Sequence, residues 1–189
     1  MGTRLKSWLV LGIYGLATAL FVVLIQPGSL HAQISAQPLS LVERISSFDI
    51  EQPEATAFAI WNASQTQSHE VWFRVMGGDA LYQQRLRVYK EKALPRSSNI
   101  LPSRSELAYE FEDNRPSDWY FLGSENDFHT YYFDGDNRPD SFMSWDNAKA
   151  VRAQRTIYRN GDLYEISFED LNTLDDYNDL EIEVVLLHN

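Results

Sequence analysis

Apolar and polar residues alternate along much of the chain after residue 55, which is the pattern of strands with one buried face. In residues 106–113, for example, Leu107, Tyr109 and Phe111 alternate with glutamates. Strands are predicted at residues 56–62 (buried on both faces), 71–76, 82–90, 106–113, 118–122, 128–133, 151–159, 163–170 and 181–187. About nine short strands with little helix predict an all-β fold, an antiparallel β-sandwich or jelly roll, with a closed barrel as the alternative.

One pair of these strands carries a local hairpin signal. Residues 151–159 and 163–170 flank the dipeptide Asn160-Gly161. Asparagine and glycine readily adopt the positive φ angles of a type I′ turn. We therefore predict a hairpin with these two residues at its tip.

The segment before the first predicted strand has a different period. Leu39, Val42, Ile45 and Phe48 recur every three residues, which favours one or two turns of an amphipathic helix. The expected organisation is therefore a tether and short helix over residues 33–55, followed by a β-sandwich domain over residues 56–189.

The amino terminus matches an export signal. The first eight residues contain Arg4 and Lys6 and no acidic residue, and residues 9–25 form a 17-residue stretch without charge. Helix-breaking residues follow, and Ala32 is the small residue of a cleavage site. We expect residues 1–32 to form an export helix that is cleaved as a signal peptide, or retained as an anchor whose only membrane contact is residues 9–25. Either way, the rest of the chain is expected to be secreted or to lie in the periplasm or cell envelope.

Composition narrows the classes of function. The 189 residues include no cysteine, which excludes disulfides, thiolate metal sites and cysteine nucleophiles. The net charge is −11, and the acidic balance argues against a nucleic acid partner. Residues 33–105 carry 8 basic and 7 acidic residues, whereas residues 106–189 carry 6 basic and 20 acidic residues, a net charge of −14. Such asymmetry marks an ion-binding region or a well-solvated acidic surface.

Oxygen-bearing side chains are densest in residues 168–180, where seven of thirteen residues are Glu, Asp or Asn. Ca²⁺ takes six to eight oxygen ligands, and a loop between two strands can wrap such ligands around an ion. Acidic loops also form ordinary turns, because Asp and Asn side chains bond to nearby backbone amides. The candidate calcium ligands are Glu169, Asp170, Asp175, Asp176, Asn178 and Asp179.

A second acidic segment, residues 134–140, begins like a calcium loop. Arg138 at its fifth position and Trp145 at its twelfth exclude the helix–loop–helix calcium site. We expect a plain hairpin turn here, because glycine, asparagine and proline are turn formers, or a segment that donates one or two oxygens to the C-terminal site.

The carboxyl-terminal region resembles an uncharacterised family of bacterial secreted and surface domains. The resemblance rests on Phe168-Glu169-Asp170-Leu171, a spacer, and Asp176-Tyr177-Asn178-Asp179-Leu180, followed by an alternating strand. It extends weakly over residues 128–140. The chain departs from the family in its spacer, Asn172-Thr173-Leu174, and in having Phe142 and Trp145 where a histidine often stands. The resemblance implies an exported β-rich fold and supplies no activity.

Catalytic motifs have little support in this sequence. His69, His129 and His188 have no metal-ligand partner at helical spacing, and no nucleophile elbow, phosphate loop or HExxH motif is present. The first hypothesis is therefore a non-catalytic binding or surface module that binds Ca²⁺, with a carbohydrate or a protein as its surface ligand. The second is a carbohydrate-binding or glycoside-hydrolysing envelope protein, which needs an open groove lined by tryptophan or tyrosine and a pair of carboxylates. The third is an envelope protein with a purely structural role.

Overall fold

The computed structural model describes residues 37–62, 68–96, 100–112, 114–171 and 176–189. The chain divides into two compact units, Met1–Ile34 and Ser35–Asn189, and every described residue belongs to the second. The predicted export helix lies outside the described residues and stays a prediction. Within the described part of the chain, no helix has the length and apolar character needed to cross a membrane.

The described residues form eleven strands and one short 3-10 turn, Arg104–Glu106. The strands are β1 (Arg44–Pro53), β2 (Ala57–Trp61), β3 (His69–Gly77), β4 (Gln83–Glu91), β5 (Leu107–Phe111), β6 (Tyr120–Glu125), β7 (Thr130–Arg138), β8 (Asp146–Asn147), β9 (Ala150–Tyr158), β10 (Gly161–Glu169) and β11 (Leu180–His188). The predicted all-β fold is confirmed.

Two antiparallel sheets pack face to face as a sandwich. The larger sheet has the order β1-β9-β10-β11-β3-β6, and the smaller sheet has the order β2-β7-β4-β5, with the short β8 also paired to β7. Sequence neighbours are often sheet neighbours, as in β9-β10-β11, but β3 lies between β11 and β6. The pairing of β3 with β11 places Gly77 opposite Glu181. The β3–β4 connection therefore lies at the same end of the sandwich as the β10–β11 loop.

The core lies between the two sheets and consists of the apolar side chains that point inward from the strands of both sheets. Phe73, Phe133 and Phe168 are each at most 1% exposed. The rings pack closely enough that a Cβ on Gly135 would lie 2.6 Å from the Phe168 ring. Glycine at this position therefore lets β7 approach the opposite sheet.

The short helix expected within residues 33–55 is wrong. The described part of that segment contains β1, which pairs along its length with β9, from Arg44 opposite Tyr158 to Pro53 opposite Ala150. Pairing with a neighbouring strand satisfies the backbone groups of this segment and overrides the threefold spacing of its apolar residues. The sandwich domain consequently begins before residue 56.

The β9–β10 hairpin is confirmed, but its turn is not the one predicted. Tyr158 pairs with Gly161, so the two turn residues are Arg159 and Asn160, and neither Asn160 nor Gly161 has a positive φ. Glycine is required at 161 because a Cβ there would collide with the Leu186 carbonyl of β11.

Two further expectations are corrected by burial and pairing. The strand predicted at residues 56–62 is β2 at the edge of the smaller sheet, and only one of its faces is fully buried. Residues 134–138, expected in a hairpin turn, belong to β7, where Asp134 and Asp136 are buried. Arginines on β4 form ion pairs with these two aspartates, which allows the aspartates to be buried in a central strand.

Candidate metal centre

The loop between β10 and β11 brings three acidic side chains together. Phe168 pairs with Leu180, so Glu169 and Asp170 leave one strand at the level where Asp179 enters the next. One carboxylate oxygen of each acid lies within 4.8 Å of the others. Their exposed fractions are 2%, 3% and 7%, so this carboxylate cluster of Glu169, Asp170 and Asp179 is buried.

Backbone amides bind two of the three carboxylates. Glu169 accepts hydrogen bonds from the Leu171 amide (3.0 Å) and the Tyr177 amide (3.3 Å), and Asp179 Oδ2 accepts one from the Asp170 amide (2.7 Å). Tyr177 has a φ of 52°, in the left-handed region that a tyrosine seldom adopts. Its bond to Glu169 helps to hold the loop in this strained conformation.

Asp170 is only half satisfied. Its Oδ2 accepts a hydrogen bond from Gln84 Nε2 at 2.8 Å, which ties the cluster to β4 of the opposite sheet. Its buried Oδ1 has no hydrogen-bond partner among the residues that the structure describes. A buried acceptor without a partner costs about 1–3 kcal/mol, more when it is charged, so this oxygen favours the binding of a cation.

The electrostatics of the cluster also favour a cation. No ion pair joins Glu169, Asp170 or Asp179 to a lysine, arginine or histidine within the described ranges. Burial raises the pKa of Asp170. Burial also raises the pKa of Asp179, and repulsion from the neighbouring carboxylates adds to the shift, so that this pKa reaches about 7. Three carboxylates this close resist full ionisation unless a proton or a metal ion compensates their charge.

The β3–β4 connection braces the far side of the loop. The Asp79 amide donates to the Asn178 carbonyl at 2.8 Å, and Asn114 Nδ2 donates to the Gly78 carbonyl at 3.2 Å. A Cβ on Gly78 would collide with the Asp179 carbonyl, so only glycine lets the two chain segments approach. The carboxylate cluster is therefore held by elements of both sheets.

The six predicted ligands have different fates. Glu169, Asp170 and Asp179 converge in the carboxylate cluster. Asp176 is exposed, and Asn178 is half-buried and holds the loop through its backbone carbonyl; neither is a member of the cluster. Asp175 lies outside the described residues.

The donor set fits a hard divalent cation. Carboxylate oxygens are the ligands that Ca²⁺ prefers, and three carboxylates supply three to six of the six to eight oxygens it takes. Mg²⁺ demands stricter octahedral geometry and keeps several waters, which a buried cluster with a strained loop accommodates less well. Among the described residues, no nitrogen or sulfur ligand of the kind that transition metals favour joins the cluster.

A buried ion-pair network on the outer face of the smaller sheet was not predicted from the sequence. Arg87 lies opposite Asp134 and Arg85 opposite Asp136 in the β4–β7 register. The Arg85 guanidinium lies 2.7 Å from Asp136 and the Arg87 guanidinium 2.6 Å from Asp134. The available sequence signal was a pair of arginines two residues apart and a pair of aspartates two residues apart. Predicting that they form ion pairs also requires the register between β4 and β7, which are distant in sequence.

A second acid-rich group occurs at the other end of the sandwich. Glu125, Asp127 and His129 also place ligand atoms within 4.8 Å of one another. Lys90 pairs with Glu125 and Lys92 with Asp127. Because lysines already compensate both acids, this group has less need of a cation than the carboxylate cluster.

The tryptophans do not form a continuous strip. Trp72 is buried and packs on Phe121 with ring centroids 4.5 Å apart. Trp145 lies against two guanidinium groups, those of Arg85 and Arg138. Among the four tryptophans in the described residues, Trp61 alone is exposed, at 46%.

No family model matches the chain, and no curated protein or solved structure matches it either. The resemblance to the uncharacterised bacterial family therefore stays a prediction. What the structure defines is the class of fold, an antiparallel β-sandwich.

Proposed function

We propose that this protein is an exported, non-catalytic β-sandwich that binds Ca²⁺ through Glu169, Asp170 and Asp179 and acts as a binding or surface module. The observation that carries the calcium proposal is the buried Asp170 Oδ1, which belongs to a cluster of three carboxylates and has no hydrogen-bond partner in the described part of the chain. Export is supported by the charge and apolar pattern of residues 1–32.

Calcium in this position has a structural role. The ion would neutralise the repulsion among three acids that sit where β10 ends and β11 begins. Because Gln84 binds Asp170 and Gly78 packs on Asp179, ordering the carboxylates also orders the contact between this loop and the β3–β4 connection. Calcium therefore stabilises this end of the sandwich, where exposed loops are free to contact a ligand.

The test is thermal unfolding and calorimetric titration of the purified protein with Ca²⁺ and with EDTA. A ligand that binds only the folded state stabilises it by about 2.7 kcal/mol at one hundred times its Kd, so Tm rises with Ca²⁺ and falls with chelator. In Asp179→Asn, the amide keeps the shape of the side chain but removes a charge. We expect this variant to lose the calcium-induced rise in Tm and to equal or exceed the wild type in EDTA, because repulsion is relieved.

The matched control is Asp176→Asn, which removes the same charge from an exposed position of the same loop outside the cluster. It should keep the full calcium response. Equal Tm values for the wild type in millimolar Ca²⁺ and in EDTA, together with no heat of binding, would refute the calcium site. An equal response in Asp179→Asn would refute the assigned ligands.

A further inference from the structure

The two sheets formed by the described residues differ in width, and the difference leaves β1 without a described strand opposite it. At one side of the sandwich, β5 covers β3 and β6, with the Tyr109 ring 5.4 Å from the rings of Phe73 and Tyr120. At the other side, β2 packs on β10, with the rings of Phe58 and Tyr164 6.2 Å apart. The larger sheet continues beyond this contact through β9 to β1, whereas the smaller sheet ends at β2.

The inner face of β1 is apolar and incompletely covered. Ile50 pairs with the buried Ala153, so the two side chains lie on the same, inner face of the sheet. Phe48, two residues earlier, lies on that face as well and is 42% exposed. Within the described residues, no strand of the smaller sheet lies opposite these side chains.

A cavity of about 220 Å³ marks the uncovered space between β1 and β2. Its lining residues are Ile50, Phe58, Ala59, Ile60, Trp61, Arg155 and Tyr164. Arg155 is held by Asp162 at 3.0 Å and lies over the Tyr164 and Phe48 rings, so it forms a fixed wall of the cavity. The space suits one or two apolar side chains of moderate size.

Among the described strands, none pairs with the backbone edge of β2 beside this cavity. The Gly135 amide donates to the Thr56 carbonyl, so the backbone groups of Thr56 point toward β7. Backbone groups point to alternate sides along a strand, and those of Phe58 and Ile60 therefore point toward β7 as well. The backbone groups of Ala57, Ala59 and Trp61 then point away from β7, and within the described ranges no strand pairs with them.

β2 also carries none of the features that usually protect a sheet edge. It has no charged residue, proline or register shift. The other edge strands do: β1 has a register shift and ends in Pro53, and irregularities interrupt the pairing of β5 and of β6. An unprotected edge next to an apolar cavity is the arrangement that receives an added strand.

We propose that β2 binds an extended peptide segment of a partner protein, apolar at alternate positions, which adds to the smaller sheet as a strand. Its backbone bonds to Ala57, Ala59 and Trp61, and its inward side chains fill the cavity and cover Phe48. A second copy of this chain fits less well, because the inward residues of its own β2, Phe58 among them, already lie in its own core. The proposal does not depend on the calcium site, which lies in a different loop.

The test uses a capped heptapeptide of alternating valine and threonine as a probe of the strand-addition site. Saturable binding should slow hydrogen exchange at the amides of Ala57, Ala59 and Trp61. Ala59→Pro removes an edge N–H that no described strand uses, and it should weaken binding about tenfold or more through lost hydrogen bonds. Phe142→Ala, which removes an exposed apolar side chain away from the cavity and from β2, should bind as the wild type does.

A peptide N-methylated at alternate residues tests the same bonds without altering the protein, and it decides the question if Ala59→Pro does not fold. We expect this probe to lose binding, because methylation removes the donors needed for pairing. No saturable binding, protection confined to other strands, or equal affinity of the methylated probe would overturn the proposal. Dimerisation of the chain alone that Ala59→Pro abolishes would also overturn it, in favour of a second copy.

Discussion

Asp134 shows how a single buried charge depends on its neighbours. Its side chain is fully buried in β7, and burial raises its pKa to about 7, with the nearby Asp136 charge adding to the shift and Arg87 opposing it. The Arg87 guanidinium lies 2.6 Å from Asp134 Oδ2, but neither carboxylate oxygen makes a well-oriented hydrogen bond. The contact is an ion pair that only partly compensates for the loss of water around the carboxylate.

Because the pKa of Asp134 is raised in the folded state, the free energy of unfolding decreases as pH rises. Between the ordinary aspartate pKa of 3.8 and about 7, folded Asp134 keeps a proton that the unfolded chain has released. Stability from this residue is therefore lost as pH rises through that window and levels off above it. We expect the stability of the wild type relative to Asp134→Asn to fall by up to about 4 kcal/mol between pH 4 and 8, measured by urea unfolding.

Both proteins contain the other carboxylates. The difference between their free energies of unfolding therefore isolates the pH dependence that Asp134 contributes. Asp118→Asn, at an exposed position, controls for the loss of one charge. A difference between the wild type and Asp134→Asn that stays constant across this pH range would show that Asp134 is ionised throughout.

At the scale of elements, the β9–β10 hairpin holds two neighbours in place. The Asn160 side chain accepts a hydrogen bond from the Val42 amide at 2.8 Å and donates one to the Ser40 carbonyl at 3.1 Å. Gly161 lies against the Leu186 carbonyl of β11. The Asn-Gly pair thus joins the hairpin to the chain before β1 on one side and to β11 on the other.

Replacing Gly161 tests the close approach of β10 and β11. In Gly161→Ala, the new Cβ would force the strands apart, and overpacking of this kind costs about 1–3 kcal/mol. Chemical denaturation should show this loss with an unchanged m-value. Glu165→Ala, at an exposed position of β10, should change stability by less than about 0.5 kcal/mol. Equal stability of the two variants would mean that the strands separate there without cost.

At the scale of the whole molecule, the proposed cleavage of the export segment changes the net charge. Removing residues 1–32 takes away Arg4 and Lys6 and no acid, so 16 basic residues become 14 and the net charge changes from −11 to −13. A large net charge of one sign opposes association of the folded domain through like-charge repulsion. A bound divalent cation would return two positive charges to the acidic half of the chain.

Amino-terminal sequencing of the protein recovered from an exporting host checks the processing step. We expect the mature chain to begin at Gln33, because Ala32 provides the small residue before the cut. The unprocessed chain made in a cell-free system is the control. A mature protein that retains Met1 would contradict cleavage and favour the anchor.

The positions of most strands were predictable from the sequence, and the limits of two of them shifted little. The strand predicted at residues 71–76 became His69–Gly77, and that at 181–187 became Leu180–His188. The helix expected from Leu39 to Phe48 failed because a short run of apolar residues spaced by three does not exclude a strand when β9 offers a pairing edge.

Sequence alone located the acid-rich loop, because oxygen density is a local property that adjacent residues carry. It could not select Glu169, Asp170 and Asp179 from the six candidates, since their convergence follows from the pairing of β10 with β11. The same limit hid the bond from Gln84 and the pairing of Arg87 with Asp134. Periodicity determined which residues turn inward, whereas strand order and register, which depend on contacts between distant parts of the chain, decided which of them meet.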